Sequence, residues 1–414
     1  MLQRAEDLAV TWAYVDDHLQ MADGLTLLDN VQFIYELALA ELELESLKVD
    51  FQVTNGLRRF NLLSEIDEGR LRRRLAYFKY VRGKPTDYYK TIVRNRTNSV
   101  NQYLTHWIYP YKGKFHPQMV RALLNILKVE PGERILDPFI GSGTTAIEAQ
   151  LLGIDCIGVD ASPLCVLQAN VKTQSVLHIE QINNSLENVS AKISGGAFGP
   201  LNMSSILEGV TDERVRDFYQ MAKLIAVSDN ARRGKDIHRS FVNAVQQMIE
   251  SVNDYATLAK DLNLKLGRVN VRQGDARRLE VEDESVHAII TSPPYSIALD
   301  YIANDAHALR ELGKDPVKLR EEFIGVRGKG SAKVELYDED MKKSIDEMYR
   351  VLKRGRYAAI VIGNATYLGK KINTVDFVIE QAGKAGFELV RDIDKIIFGL
   401  YNVIQKENIL IFRK

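Results

Sequence analysis

The stretch GERILDPFIGSGTTAIEAQLLGIDCIGVDAS, residues 132–162, decides the predicted fold. RILD predicts a short strand, PFIGSG a tight turn and TTAIEAQLL a helix, so the turn leads directly into a helix N-terminus. Gly141 and Gly143 let the backbone approach a ligand closely, and the free amides that open the helix favour a negative group. The next strand, DCIGVD, ends at Asp160, roughly 20 residues further on, where an acid meets ribose hydroxyls in nucleoside-binding α/β folds. This combination predicts an adenosine-containing cofactor.

A dinucleotide is the alternative ligand for such a turn. However, the sequence Asp137-Pro-Phe separates the strand from the glycines and does not match the G-x-G-x-x-G pattern of dinucleotide-binding folds. The nucleoside cofactor is therefore favoured.

The pattern of strand, glycine-rich turn and helix recurs from about Tyr109 onward, which predicts an open α/β sheet. The pattern stops at about 173–262, where amphipathic stretches predict a helical insertion. Residues 101–414 thus form the predicted main domain, and residues 1–100 a small accessory unit. Within that unit, NVQFIYE predicts a strand, whereas LALAELELESLKV fits a helix or, through its alternating core, a strand.

Composition predicts a soluble, globular, cytoplasmic protein. Of the 414 residues, 45% are hydrophobic and 27% charged, and no apolar run reaches the roughly 18 to 20 residues of a membrane span. The start, MLQRAEDLAV, is acidic where a signal peptide is basic and then apolar. Cys156 and Cys165 fit no metal-ligand spacing, so we predict no metal site and a buried structural role for both cysteines.

Charge is unevenly distributed, although the formal net charge is zero. Residues 1–56 contain two basic and eleven acidic side chains, whereas residues 57–121 contain fifteen basic and four acidic ones. Basic side chains neutralise phosphates and aromatic rings stack on bases, so residues 72–96, the basic segment, are a candidate nucleic-acid surface. The alternative is a solvated helix face with its aromatic side chains buried. The candidate contacts are Arg72, Arg73, Arg74, Lys79, Arg82, Lys84, Arg94 and Arg96, interleaved with Tyr77, Phe78, Tyr80, Tyr88 and Tyr89.

Two motifs together point to a family. LDPFIGSGTT, followed by TSPPY at 291–295, resembles the S-adenosylmethionine-dependent amino-methyltransferases that modify exocyclic amines of nucleic-acid bases. The resemblance covers most of residues 109–414 outside the insertion. It implies a Rossmann-like class I methyltransferase sheet and S-adenosylmethionine as the cofactor.

The resemblance also assigns roles to individual positions. It implies that KFHPQMVRALL (114–124) packs on the methionine end of the cofactor, that DPFIGSG surrounds the methionine carboxylate and amine, and that TSPPY is the catalytic loop. Asp160 would bind the ribose, and Asp275 of GDARRL would lie near the adenine ring. The implied cofactor-binding residues are Lys114, His116, Asp137, Phe139, Gly141, Ser142, Gly143, Thr144, Asp160 and Asp275.

The catalytic loop suits the chemistry of an aromatic amine, whose lone pair is delocalised into the ring. An enzyme must hold such an amine by its N–H groups, in line with the methyl donor, and this requires acceptors rather than donors. Ser292 Oγ and the Pro293 carbonyl can accept those hydrogens, Pro294 stiffens the loop, and Tyr295 can stack on a base turned out of its helix. Neither cysteine follows a proline, so the cysteine route to C5 of cytosine is absent.

The target base is predicted from the first position of the catalytic motif. In the family, serine at this position resembles the cytosine-N4 enzymes, whereas aspartate or asparagine is typical of adenine-N6 enzymes, so Ser292 favours cytosine N4 in DNA. The segment SIALDYIANDAHALRELG also resembles the one after SPPY in site-specific DNA methyltransferases, some of which accompany a restriction endonuclease. Asp300 and Tyr301 are therefore candidates for the base pocket, the alternative being a loop acid and a packed aromatic ring.

Target recognition lacks space at the C-terminal end, because a helix and three strands fill residues 341–414. We therefore predict it in the basic segment, the helical insertion and the loop EEFIGVRGKGSAKVELYDED.

Two other functions remain open. RRRLAY and the cofactor loop also resemble tRNA guanine-N2 methyltransferases, although Ser292 and Ser296 depart from the Asp-Pro-Pro-Tyr-Gly pattern of those enzymes. The second is a catalytically idle nucleic-acid-binding protein on this scaffold.

Overall fold

A computed structural model describes most of the chain. The described residues are 24–95, 99–111, 113–195, 202–294, 300–330, 332–367, 370–398 and 404–414. In this part of the chain, no helix is both long enough and apolar enough to cross a bilayer.

A five-stranded antiparallel sheet forms the N-terminal part, in the order β2-β3-β1-β4-β5. The buried faces of its strands pack against helix α1, which contributes Leu39, Ala40 and Leu44 to the core. The elements are β1 (Gly24–Leu27), α1 (Ile34–Ser46), β2 (Phe51–Thr54), β3 (Arg59–Leu62), α2 (Glu68–Arg74), β4 (Phe78–Val81), β5 (Lys84–Pro85) and α3 (Asp87–Ile92).

The strand predicted for NVQFIYE is wrong. Helix α1 begins inside it at Ile34 and continues through the stretch that left helix and strand open. The side chain of Glu36 accepts hydrogen bonds from the backbone N–H groups of Gln32 and Phe33, at 2.8 and 3.1 Å. This one-sided capping by Glu36 satisfies amides that would otherwise be unpaired, and it outweighs the β-propensity of the apolar run.

A seven-stranded sheet forms the main part, in the order β13-β14-β10-β9-β6-β7-β8. Five neighbouring strands, β10, β9, β6, β7 and β8, run parallel to one another. Strand β14 pairs antiparallel with both β10 and β13. This is the strand order of the class I methyltransferase fold, so the predicted fold class is confirmed. The strands are β6 (Arg134–Asp137), β7 (Asp155–Asp160), β8 (Val269–Gln273), β9 (Val286–Thr291), β10 (Leu352–Gly363), β13 (Glu388–Phe398) and β14 (Ile404–Arg413).

Helices cover both faces of this sheet, and a small hairpin follows β10. Helices α7 to α10 occupy the interval in which the sequence predicts an insertion. The elements are α4 (Pro117–Ile126), α5 (Thr144–Leu151), α6 (Pro163–Gln174), α7 (Ile179–Gly195), α8 (Met203–Ile206), α9 (Glu213–Arg233), α10 (Ile237–Asp261), α11 (Tyr301–Glu311), α12 (Pro316–Arg320), α13 (Ala332–Val351), β11 (Ala365–Tyr367), β12 (Lys370–Ile372) and α14 (Thr374–Ala385).

A buried polar junction joins the N-terminal part to the main sheet, where α1 packs on α4. Glu43, which is fully buried, accepts hydrogen bonds from Ala76 N at 2.8 Å and from Asn125 Nδ2 at 2.5 Å. Arg74 donates to Asn125 Oδ1 and to the Val129 carbonyl, both at 2.6 Å. Burial raises the pKa of Glu43 to about 7 in spite of these donors. The two parts therefore share one hydrogen-bonded interior.

Candidate active site

A cavity of about 630 Å³ lies at the carboxyl ends of the parallel strands. This volume is typical of small-molecule sites, and this edge is where open α/β sheets bind ligands. Residues at the ends of five neighbouring strands, or just after them, border the cavity: 138–142 after β6, 160–162 from the last residue of β7, 274–276 after β8, Ser292 and Pro294 after β9, and Gly363 and Asn364 from the last residue of β10.

The turn after β6 forms one wall of the cavity, as the sequence predicts. Gly141 has φ +47°, and a Cβ atom there would lie 3.3 Å from the ring of Tyr111, so a larger residue would crowd this wall. The fully buried Lys172 donates from Nζ to the Ser142 carbonyl at 2.8 Å and fixes the turn from below. Sequence reasoning missed Lys172, because a lysine in an amphipathic helix is ordinarily solvated. Of the cofactor-binding residues predicted between Asp137 and Thr144, four border the cavity: Phe139, Gly141, Ser142 and Thr144.

Gly143 is not among the residues that border the cavity, and its assignment as a cofactor contact stays a prediction. It has φ +80°, and a Cβ atom there would lie 2.8 Å from the Cβ atom of Ala169. Glycine is therefore required for the close packing of α5 on α6. By allowing this packing, Gly143 positions the N-terminus of α5, which follows the cofactor turn.

Asp160 ends β7 and borders the cavity. Its carboxylate accepts Gly141 N at 2.9 Å and Ser162 N at 2.8 Å, and thereby joins the turn after β6 to the turn after β7. Burial raises the pKa of Asp160 to about 6, and the two N–H donors oppose that rise. Each carboxylate oxygen retains a second lone pair, so the group can still accept a ribose hydroxyl from a ligand in the cavity.

Asp137 is not among the residues that border the cavity, and its assignment as a cofactor-binding residue stays a prediction. Its fully buried carboxylate accepts Thr291 Oγ1 at 2.6 Å and Phe139 N at 3.1 Å. Burial raises the pKa of Asp137 to about 6, and the bond from Thr291 opposes the rise. Because Thr291 is the first residue of TSPPY, Asp137 ties that loop to the cofactor turn.

Asp275 borders the cavity on the side where the resemblance places the adenine ring. Both of its oxygens accept Arg277 Nε, at 2.8 and 2.9 Å. Although burial alone raises the pKa of this carboxyl, the bonds to Arg277 lower it below its usual value. Asp275 is thus held ionised and in a fixed orientation.

The catalytic loop lies beside the cofactor turn. Ser292 and Pro294 border the cavity and Pro293 is buried, so the loop backbone is held against the core. The Pro294 carbonyl accepts Tyr337 Oη at 2.9 Å, which anchors the second proline. Tyr295 lies outside the described residues.

Lys114 and His116 border the cavity on the segment before α4. Lys114 Nζ donates to the carbonyls of Asn101 and His106, each at 2.7 Å, and burial lowers its pKa to about 7. Burial, with Lys395 nearby, lowers the pKa of His116 to about 3, so this imidazole is neutral at physiological pH. Both groups border the cavity, where Lys114 can gain or lose its proton near neutral pH and His116 is neutral.

The base-pocket assignment of Asp300 stays a prediction, and the structure shows how its carboxylate is held. Asp300 is the N-cap of α11, where it accepts Ala303 N at 3.0 Å, and it is ion-paired with Arg320. These bonds fix its carboxylate at the helix end, and it does not border the cavity. Tyr301 is the first residue of α11, and its side chain lies outside the described part of the chain.

Asp305 lies about one turn further along α11, and this acid borders the cavity. It is buried and accepts Tyr109 Oη at 3.1 Å and a guanidinium nitrogen of Arg232 at 3.2 Å. Ile302 and Leu309 border the cavity as well, so a helix-period pattern on α11 was the available signal. Arg232 comes from the insertion, and no local sequence signal pairs it with Asp305.

The basic segment is largely structural. Arg74 is buried, which excludes it from a nucleic-acid surface, and Tyr77, Phe78 and Tyr88 are buried in the core. For these residues the alternative, a buried aromatic face, is the one the structure supports. Elsewhere in the segment, Lys79 is paired with Asp29, Lys84 and Arg72 with Glu68, and Arg73 with Asp87, whereas Arg82 is exposed and Arg96 lies outside the described residues.

Three arginines of the basic segment also bind at the edge of the sheet that lies opposite the cavity. Arg73 donates to the Leu262 carbonyl at 3.1 Å, and Arg94 pairs with Asp261 at 2.6 Å, both just before β8. Arg74 reaches the Val129 carbonyl, just before β6. Since β6 and β8 run parallel, these contacts mark the amino-end edge, opposite the cavity.

Two further predictions concern cysteine and metal chemistry. Cys156 and Cys165 are free and buried, as predicted, although Cys165 also borders the cavity. Among the described residues, no group of three or more His, Cys, Asp or Glu side chains is arranged to hold a metal ion.

Sequence comparisons identify methyltransferases. Residues 108–197 match the family described as UPF0020: RMKL-like, methyltransferase domain. The type II methyltransferase M.BsoBI of Geobacillus stearothermophilus is 25% identical over 280 residues, covering 53% of this chain and 55% of that protein. The type II methyltransferase M.MjaII of Methanocaldococcus jannaschii is 49% identical over 69 residues, 17% of this chain and 13% of that protein. A tRNA (guanine(10)-N2)-dimethyltransferase of Methanothermobacter thermautotrophicus is 44% identical over 50 residues, 12% and 15% of the respective chains.

Solved structures resemble this chain more distantly. TrmN from Thermus thermophilus has a TM-score of 0.34 and 13% identity, covering 88% of this chain and 60% of that one. At such values the fold assignment rests on the strand order and not on this likeness. The chain spans less than two thirds of the length of each of the three sequence relatives. Together with the family match, the comparisons support a methyltransferase domain with S-adenosylmethionine as its cofactor.

Proposed function

We propose that this protein is a site-specific DNA methyltransferase that transfers a methyl group from S-adenosylmethionine to the N4 amine of a flipped cytosine. The observation that carries the proposal is one shared cavity. The cofactor turn with Gly141, the acid Asp160 and the catalytic Ser292 all border it, from three neighbouring strand ends.

The residues present fit the cofactor. Asp160 offers acceptor lone pairs to ribose hydroxyls, the amides at the start of α5 suit a carboxylate, and Asp275 is held ionised on the adenine side. When bound, the cofactor supplies an electrophilic methyl group on a sulfonium. Of the residues first assigned to it, Asp137 and Gly143 position the turn.

The catalytic loop supplies acceptors for the amine. Ser292 Oγ and the Pro293 carbonyl accept the two N–H hydrogens of the target, which directs its lone pair away from them and toward the methyl group. The rigid proline pair, anchored through Tyr337, prevents the acceptors from turning away. After transfer, the methylated amine loses a proton to water, so a strong base is unnecessary. In this proposal Tyr295 stacks on the flipped base.

Cytosine N4 is favoured by Ser292, and a DNA substrate by the resemblance of the segment after SPPY to site-specific DNA methyltransferases, with type II methyltransferases among the relatives. The main alternative is a base N-methyltransferase acting on RNA, favoured by the tRNA (guanine(10)-N2)-dimethyltransferase relative. An adenine-N6 enzyme of DNA is a further alternative, because the link between Ser292 and cytosine is a family correlation. A cognate restriction endonuclease and a cytoplasmic location belong to the same proposal.

Identification of the methylated nucleoside tests the proposal. The purified protein is incubated with methyl-labelled S-adenosylmethionine and either unmethylated genomic DNA or total RNA, and each polymer is digested and analysed by mass. We expect N4-methyldeoxycytidine from DNA. Label only in RNA would overturn the DNA assignment, and labelled N6-methyldeoxyadenosine would overturn the base assignment.

A pair of serine variants tests the catalytic loop. Ser292→Ala removes a proposed acceptor and should lower turnover by roughly ten- to a hundredfold, the range expected for one hydrogen bond to a developing charge. Ser285→Ala is the matched control, because Ser285 lies just before the other end of β9 and bonds the Glu282 carbonyl at 2.7 Å. Equal turnover in the two variants would contradict the role of Ser292.

A further inference from the structure

The two long helices of the insertion form a hairpin that crosses the molecule from one edge of the sheet to the other. Helices α9 and α10 pack against each other and contain 21 and 25 residues. At 1.5 Å per residue they are about 32 and 37 Å long. The C-terminus of α10, at Asp261 and Leu262, is held by Arg94 and Arg73 at the amino-end edge. The turn between the helices is therefore at the far end of the hairpin.

That turn lies beside the cavity. Arg232, at the end of α9, donates to the Asn304 carbonyl and to Asp305, both at 3.2 Å. Asp305 borders the cavity on the side of α11, the helix that follows the catalytic loop. The insertion thus contributes a side chain that holds a residue of the cavity wall, and its turn lies beside α11.

The turn is basic and exposed. Residues 232–239, RRGKDIHR, which we call the insertion tip, contain four basic side chains and one acid, Asp236, whose carboxylate caps α10. Arg233 and Lys235 share one partner, Asp229, at 3.3 and 2.8 Å, yet their side chains remain 66% and 50% exposed, and Arg239 is also exposed. Gly234 has φ +65°, and a Cβ atom there would meet nothing within 4 Å. The tip therefore presents cations on an open, narrow turn.

We propose that the insertion tip contacts the phosphate backbone of DNA beside the flipped base. This inference rests on the proposed function and adds the surface that holds the polymer. The tip has the charge that phosphates require, and it lies at the same edge as the catalytic loop. Arg73, Arg74 and Arg94 of the basic segment are held at the opposite edge, so a duplex seated on them would lie away from Ser292.

The test compares triple alanine variants. The tip variant is Arg233→Ala, Lys235→Ala and Arg239→Ala, which leaves the Arg232–Asp305 pair intact. The matched control removes three exposed lysines from α13 and α14, Lys342→Ala, Lys343→Ala and Lys384→Ala. Affinity for a DNA duplex is measured against salt concentration, and affinity for S-adenosylhomocysteine is measured separately.

We expect the tip variant to bind DNA more weakly and to lower the slope of log affinity against log salt by roughly two to three, about one per lost phosphate contact. The control should keep the wild-type slope, and both variants should bind S-adenosylhomocysteine like wild type. A wild-type slope in the tip variant would overturn the inference and leave the proposed function standing. Wild-type protein that binds S-adenosylhomocysteine but no DNA would overturn both.

Discussion

Asp340 joins two arginines behind the adenine side of the cavity, and we predict that Asp340→Asn weakens cofactor binding. The carboxylate of Asp340 is fully buried on α13. It accepts Arg277 Nη1 at 3.0 Å, and Arg327 Nη2 and Nε at 2.6 and 2.7 Å. Arg277 also holds Asp275 and donates to the Glu322 carbonyl at 3.1 Å. The cluster therefore fixes both the adenine-side acid and the loop 322–324, which borders the cavity.

The size of the effect follows from these bonds. An asparagine keeps one acceptor oxygen, so at least one of the three charge-assisted bonds becomes a contact between two donors. Breaking a buried pair costs about 3–5 kcal/mol. Because the side chains of Arg277 and Arg327 remain 18% and 23% exposed, water can compensate in part, and we expect about 2–4 kcal/mol less stability. Loosening of the cavity wall should weaken cofactor affinity by roughly tenfold, about 1.4 kcal/mol.

Calorimetric titration with S-adenosylhomocysteine and thermal unfolding separate the two effects. The control is Glu347→Gln on the same helix. Glu347 binds Arg350 at 2.7 Å and accepts Leu279 N at 2.7 Å, away from the cavity. We expect both variants to unfold at lower temperature, but only Asp340→Asn to lose affinity. Unchanged affinity in Asp340→Asn, or an equal loss in the control, would refute the link between Asp340 and the adenine side.

Two further predictions concern the carboxylates at the strand ends. Asp160→Asn turns an NH₂ group toward one of two backbone donors, Gly141 N or Ser162 N, so S-adenosylhomocysteine affinity should fall roughly ten- to a hundredfold by calorimetry. An affinity equal to wild type would contradict the ribose assignment. Thr291→Val removes the donor that opposes the burial-raised pKa of Asp137, about 6, and so should raise that pKa further. A raised pKa favours the folded state at low pH, so chemical unfolding should show a small stability deficit near pH 4 that grows as pH rises through 6; a pH-independent deficit would contradict it.

The cofactor side of the site could be predicted from the sequence because its determinants are local. A strand, a glycine turn and a helix within 132–162 bring Gly141 and Ser142 to one edge without information from elsewhere. Asp160 follows at the end of the next strand, and parallel strands place their carboxyl ends together. Even here, the motif does not specify that Asp137 binds Thr291 or that Gly143 packs closely against Ala169, since these contacts come from other parts of the chain.

The surroundings of the site could not be predicted because they depend on distant contacts. Arg232 and Asp305 are 73 residues apart, and Arg277 and Asp340 are 63 apart. Arg74 shows the same difficulty in the basic segment. An arginine that satisfies buried carbonyls and one that awaits a phosphate have the same sequence signature, and only packing distinguishes them.

The orientation of the parallel strands decides where a polymer substrate can bind on this fold. The cavity lies where the strands end, so a base can reach Ser292 only if its backbone passes over that edge. Charge clusters anchored where the strands begin stabilise the fold instead, as the pairs of Arg73 and Arg94 with the end of α10 illustrate. Helix α10, whose C-terminal end binds those arginines, begins within the insertion tip, at the edge of the sheet where the catalytic loop lies. A helical insertion that spans the sheet can therefore be anchored at one edge and bind substrate at the other, which is a physical reason to look for DNA contacts in the insertion rather than in the basic segment.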